Sequence, residues 1–175
     1  MRGRPHSPKA TPAMHKQARL DALDAFTDVV HSRPSLNELR MLEAVALHET
    51  TFGAGWKGDG VGSFNMGAIQ ADKNWAGETF GATDTHPTAT GGATSYDARF
   101  RKYATALDGW TDLVRELYLR RSSVRKAAAS GNPLSVAKAM RATSYYEGSG
   151  KTEDERIRGY AQALADGLWE IDRNG

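Results

Sequence analysis

The sequence predicts a mainly α-helical domain in which a loop and short β-hairpin region forms one wall of a groove. Three observations predict it. Apolar residues recur at helical spacing in five stretches, three of them behind a recognisable capping residue. Between residues 53 and 100 that period is lost, and Gly, Thr and Asn take over. A structureless run of about fifty residues is unusual inside a compact domain unless it builds a site. Finally, 175 residues make one domain, large enough to bury a core without cross-links.

Residues 1 to 13, with Arg2, Arg4, Pro5, Pro8 and Pro12, read as a basic, proline-rich tail, which leaves 14–175 as the folded domain. A first helix is expected from Met14 to His31, with Leu20, Leu23, Phe26 and Val30 facing inward. Pro34 breaks it. Ser35 then caps a second helix, and Glu38 three residues later completes a capping box. Leu39, Leu42, Val45 and Ala46 form its apolar stripe.

Glu49 closes that helix. At about 100° per residue it falls roughly 20° from Leu42, inside the stripe rather than opposite it. Gly53 and Gly55 follow and stop the helix. Burial against an apolar face raises a carboxyl pKa, and the negative end of the helix dipole pushes the same way. A carboxyl kept protonated near neutral pH is what a general acid needs. An exposed last-turn glutamate, or one paired with a buried arginine, is the plainer reading of the same pattern.

The 53–100 region carries a possible hairpin from Thr79 to Tyr96, its tip near Gly91-Gly92. Helical spacing resumes from Ala106 to Arg121 with Trp110, Leu113, Val114, Leu117 and Tyr118. Asn132-Pro133 is a cap followed by a first-turn proline, opening a short helix through Val136, Ala137 and Met140. Thr152 and Glu155 make another capping box, ahead of a last stripe of Ile157, Tyr160, Ala161, Leu164 and Leu168.

Composition excludes several chemistries. Without cysteine there is no disulfide, thiol nucleophile or thiolate metal site. The five histidines are scattered without ligand spacing, so no metal or other cofactor is expected. No phosphate-binding glycine loop and no nucleophile elbow is present. A net charge of +2 gives no reason to invoke nucleic acid. No stretch approaches the roughly 18–20 apolar residues of a membrane span, and no hydrophobic signal segment follows the N-terminal arginines. The basic run Arg115, Arg120, Arg121, Arg125 and Lys126 is either a patch for wall anions or a solvated helix face.

Four motifs in order carry a resemblance. His48-Glu49-Thr50-Thr51-Phe52-Gly53 resembles the Glu-Ser-x-Trp/Phe-Gly signature of the glucosaminidases of glycoside hydrolase family 73. Asn65 to Ala71 is similar to that family's Asn-Leu-Phe-Gly-Ile-Lys segment, and Phe100-Arg101-Lys102-Tyr103 to its Phe-Arg-x-Tyr. Ser144-Tyr145-Tyr146 resembles its Gly-Tyr. Ala68 and Ser144 depart from the pattern, each standing where the family has glycine. Gly67-Ala68-Ile69-Gln70 also looks like the Gly-Leu-Met-Gln of lytic transglycosylases, which share a lysozyme-like helical fold.

The resemblance implies a monomeric peptidoglycan hydrolase acting on glycan strands of the cell wall, in the periplasm or outside the cell, as autolysins and phage lysis or tail proteins do. It implies Glu49 as general acid and a second acid on the hairpin. Asp84 is favoured there because Thr83-Asp84-Thr85 alternates like a strand; Asp97 and Glu78 are the other candidates. A single acid assisted by the substrate's N-acetyl group, as in a transglycosylase, is the remaining possibility. A silent wall-binding or phage structural module is the third reading. Tyr145 is expected near the reacting sugar or on the Glu49 carboxylate. Asn65, Gln70, Trp56, Asp97 and Tyr146 are expected to bind substrate, with Trp75 another stacking candidate. Asn65 and Gln70 have the alternative of bonding their own loop.

Overall fold

The computed structural model describes residues 8–87, 93–148 and 150–174. Helix α1, Pro12–Val30, is capped by Thr11, whose hydroxyl accepts from the Met14 N–H. Pro12 therefore belongs to the helix and not to the tail: at the first helical position its missing N–H has no partner to lose. Residues 1–7 of the expected tail lie outside the described residues. The inward stripe of α1 is His15, Ala18, Ala22, Ala25 and Phe26, whereas Leu20, expected inside, is exposed. Small alanines on this face let α1 pack closely on the helices Leu36–Thr50 and Ala106–Val114.

Helix α2, Leu36–Thr50, has the expected capping box: Glu38 N–H donates to Ser35 Oγ, and Ser35 N–H to the Glu38 carboxylate at 2.7 Å. Leu39, Leu42, Val45 and Ala46 are buried as the spacing predicts. Helix α3, Ala106–Val114, runs directly into a π-helical turn, Arg115–Leu119, in which Arg120 N–H reaches back to Arg115 O. The single helix expected over 106–121 is thus interrupted.

Helix α4, Ser122–Ala129, was not expected, because only Val124 and Ala128 on it are buried and the stripe is faint. Helix α5, Pro133–Ala142, starts at the Asn132 cap, whose side chain accepts from the Leu134 and Ser135 N–H groups. Helix α6, Glu153–Asn174, is opened by Thr152 and Glu155, and lays Tyr160, Ala161 and Leu164 into the core against α2 and α5.

The hairpin consists of β1, Thr79–Pro87, and β2, Ala93–Arg101, antiparallel with Thr79 opposite Arg101 and Pro87 opposite Ala93. It runs five residues beyond the expected end at Tyr96, and the expected Gly91-Gly92 tip lies outside the described residues. Segment 69–71 lines the free edge of β2 through Ala71 N–H to Arg99 O (2.8 Å) and Arg101 N–H to Ile69 O (3.0 Å). Phe80, Ala98 and Phe100 form a small core of their own beneath it.

Arg101 fastens this unit to the helices. Buried, it donates to Asp112 (2.8 Å), Glu116 (3.2 Å) and Asp72 (3.1 Å), and its guanidinium lies over the Trp75 ring. Tyr103 adds a hydroxyl to the same Asp112 at 2.6 Å. The Phe-Arg-x-Tyr motif is therefore a joint: Phe100 packs the hairpin, while Arg101 and Tyr103 dock it on α3.

Candidate active site

Helix α2 ends in an unusual turn. Thr51, Phe52 and Gly53 all have left-handed backbones, with φ of 51°, 55° and 82°. Two of them carry side chains, and each such residue costs about 1–2 kcal/mol. Strain of this kind persists only where the surroundings over-determine it. Here Thr50 does so: its Oγ1 donates to Met66 O at 2.8 Å and accepts from Gly53 N–H at 2.9 Å. The turn is thereby pinned to the 63–67 loop, and Glu49 stands one residue before it.

Glu49 is half-buried. Tyr160 of α6 donates its hydroxyl to Glu49 Oε1 at 2.5 Å. Burial first, and the charge of Glu49 next, push the Tyr160 phenol well above its usual 10, so it stays a donor. Its ring stacks on Tyr146 at 3.9 Å and meets the edge of His48 at 5.0 Å.

Tyr145 stands near Glu49 as well. Burial and then the Glu49 charge raise its phenol, but its hydroxyl donates to Gly67 O at 2.9 Å. Of the two expected roles, holding the carboxylate passes to Tyr160. Helical spacing alone puts Tyr160 in a core stripe and does not connect it with Glu49. The available signal was that a buried tyrosine hydroxyl needs an acceptor.

On the hairpin, directly opposed residues share a face and successive ones alternate. Phe80, Ala82 and Asp84 therefore lie on one face with Tyr96, Ala98 and Phe100, the face that packs inward. Asp84 Oδ2 accepts from Gln70 Nε2 at 2.7 Å and from the Tyr96 hydroxyl at 3.2 Å, and Gln70 Nε2 also meets that hydroxyl at 2.8 Å. Tyr96 was missed in the sequence. Burial raises its phenol, with the charges of Asp84 and Glu147 acting in the same direction. Glu147 follows Tyr145 by two residues, and its charge reaches Tyr96.

Asp97 is exposed on the opposite hairpin face, paired with Thr83, in a depression shared with Gly81 and Arg99. Glu78 is exposed and paired with Lys102 at 3.2 Å. Neither accompanies Asp84.

Three expected substrate ligands have other work. Asn65 is fully buried; its amide donates to Ile69 O and Arg101 O and accepts from Ile69 N–H, which uses it up on backbone. Trp56 packs on Phe80 and Phe100 and donates its indole N–H to Asn65 O at 2.9 Å. Tyr146 is buried, bonded to Ala137 O and stacked on Tyr160.

Trp75 is held by Glu78 O and by Arg101. Gln70 alone of the loop candidates is exposed. Within the basic run, Arg120 and Arg121 pair with Glu116 and Arg125 with Glu38, while Arg115 and Lys126 are exposed. Among the described residues no group of His, Cys, Asp and Glu could hold a metal ion.

No protein-family model matches the sequence, and no curated protein matches it. Solved structures do. A peptidoglycan hydrolase mutant from Sphingomonas sp. A1 superposes with a TM-score of 0.70 at 20% identity, over 94% of this chain and 100% of that one. The lysozyme-like, mainly α fold is theirs. The C-terminally truncated glycoside hydrolase domain of Salmonella typhimurium FlgJ matches at TM-score 0.55 and 22% identity, over 91% of this chain and 98% of that one. The catalytic domain of the autolysin Auto from Listeria monocytogenes matches at 0.61 and 15%, over 98% and 90%. Within this shared fold the present chain offers a half-buried carboxyl held by a phenol, and a second carboxyl with a tyrosine and an exposed amide on the hairpin.

Proposed function

We propose that this chain is a peptidoglycan hydrolase that cleaves β-1,4 glycosidic bonds of the wall glycan, with Glu49 as general acid. The observation that carries the reading is the setting of Glu49: a last-turn carboxyl, half-buried and gripped by a tyrosine, in a fold shared with proteins described as a peptidoglycan hydrolase, a glycoside hydrolase domain and the catalytic domain of an autolysin. Glu49 gives its proton to the bridging oxygen. The bond from that oxygen to the anomeric carbon breaks, and its electron pair stays on the leaving oxygen.

Water supplies the new oxygen on the anomeric carbon, and its spare proton ends on a carboxylate. Asp84, on the inward hairpin face, is the second acid in this reading, acting on the water or on the positive charge of the transition state. The Tyr96 hydroxyl and Gln70 amide hold Asp84 as an acceptor. The wall, reached from the periplasm or from outside the cell, is the place of action.

The test is digestion of purified peptidoglycan by the wild type, Glu49→Gln and Asp84→Asn, with mass spectrometry of the soluble fragments. Glu49→Gln keeps the shape but has no proton to give, and is expected to lose about 10³-fold or more in rate. Asp84→Asn is expected to lose at least tenfold. Wild-type rates from Glu49→Gln would sink the proposal. A 1,6-anhydro product in place of a reducing-end sugar would make the enzyme a lytic transglycosylase. Binding to sacculi without release would make it a wall-binding module.

A further inference from the structure

We propose that Tyr160 is the positioning residue of the acid, and that its hold on Glu49 Oε1 assigns the transferable proton to the other carboxyl oxygen, Oε2. The proposal rests on Glu49 being the acid. Its geometric basis is independent of any ligand. A phenol that donates to Oε1 at 2.5 Å favours that oxygen as the carbonyl acceptor, so a protonated Glu49 carries its single O–H on Oε2. Tyr160 is itself immobilised: its ring is sandwiched by stacking on Tyr146 and by the edge of His48, and the helix that bears it packs along α2. The carboxyl group is therefore held from α6.

The bond also changes strength during reaction. Before transfer, the Tyr160 hydroxyl meets a neutral carboxyl. When the proton leaves Oε2 for the bridging oxygen, Glu49 becomes a carboxylate and the same bond becomes charge-assisted, roughly doubling in strength. An interaction that is stronger in the transition state than in the ground state raises kcat and leaves substrate affinity alone. This gives the last helix, far along the chain from the acid, a share in the chemistry as well as in the core.

The variant Tyr160→Phe keeps the ring, and with it the contacts to Tyr146 and His48, while removing only the donor. Its thermal unfolding midpoint checks that the fold is retained. The expected result is a fall in kcat of about 10- to 100-fold with KM within about twofold. A carboxylate that has lost a donor also holds its proton more tightly, so the alkaline limb of the pH–rate profile moves to higher pH.

A purely structural tyrosine moves neither. Unchanged kcat with an unmoved limb, or a loss confined to KM, overturns the proposal. If the wild type releases nothing from peptidoglycan, it is the glycosidase reading that fails. The carboxyl titration of Glu49 followed by ¹³C NMR then decides this one: a midpoint higher in Tyr160→Phe supports it, and coincident midpoints overturn it.

Discussion

The hydroxyl of Tyr145 donates to the carbonyl oxygen of Gly67 at 2.9 Å, across a sequence separation of 78 residues. The contact ties the segment after α5 to the loop that also receives Thr50, and so fixes the wall beside Glu49. It needs a bare backbone at 67. A Cβ there would lie 2.6 Å from the Tyr145 hydroxyl and 2.5 Å from Leu113 Cδ1. The Leu113 methyl belongs to a closely packed core and has little room to yield.

Gly67→Ala is therefore expected to destabilise the fold by about 1–3 kcal/mol and to break or displace the Tyr145 bond. Urea unfolding measures the first effect, and muropeptide release the second. Full stability together with full activity would show that the loop has slack which the geometry does not suggest.

Ala68 and Ser144 stand where the resembling family has glycine, and both have left-handed backbones, with φ of 49° and 53°. The departures thus fall where a side chain is least welcome. Glycine relieves about 1–2 kcal/mol of strain at such a position and gives back part of it as unfolded-state entropy. Ala68→Gly and Ser144→Gly are each expected to stabilise by about 0.5–1 kcal/mol, which is a rise of about 1–4 °C in Tm for a chain of this size. Calorimetry checks it. A lower Tm in both variants would mean that the lost methyl and hydroxymethyl contacts outweigh the backbone relief.

What could be read from the sequence was local. The Ser35–Glu38 and Thr152–Glu155 boxes and the Asn132 cap join residues within four positions of one another, and helical arithmetic sets Glu49 on the Leu42 face. Its partner Tyr160 lies 111 residues away, and no periodicity couples the two. The hairpin shows the same limit. A tip placed near Gly91-Gly92 does not fix which residues face each other, and the strands set Asp84 opposite Tyr96. That register buries Phe80, Ala98 and Phe100 together, a tertiary preference that the local sequence does not announce. Asn65 is open in the sequence for a related reason: a polar loop residue suits a ligand or its own backbone equally until the three backbone groups around it are seen.

Two glutamates on α2 give opposite responses of stability to pH. Burial pulls the Glu38 carboxyl up, but the Arg125 hydrogen bond and those from Ser35 together hold it below its usual 4.5. Its folded pKa lies under the unfolded one, so its contribution is present above about pH 4.5 and is lost as pH falls through the folded value. Glu43 is the reverse. Burial dominates and raises it, with Arg19 at 3.0 Å offsetting only part. The folded state then binds that proton more tightly, so its contribution is full below about pH 4.5 and is lost as pH rises through the raised folded value. Glu38→Gln is expected to cost about 1 kcal/mol near pH 7 and progressively less toward pH 3. Glu43→Gln, which keeps an acceptor for Arg19, is expected to compare more favourably with the wild type at pH 8 than at pH 5. Urea midpoints of the three proteins from pH 3 to 8 test both slopes at once. Parallel curves would mean that neither carboxyl is perturbed by its surroundings, and that α2 owes its stability to packing alone.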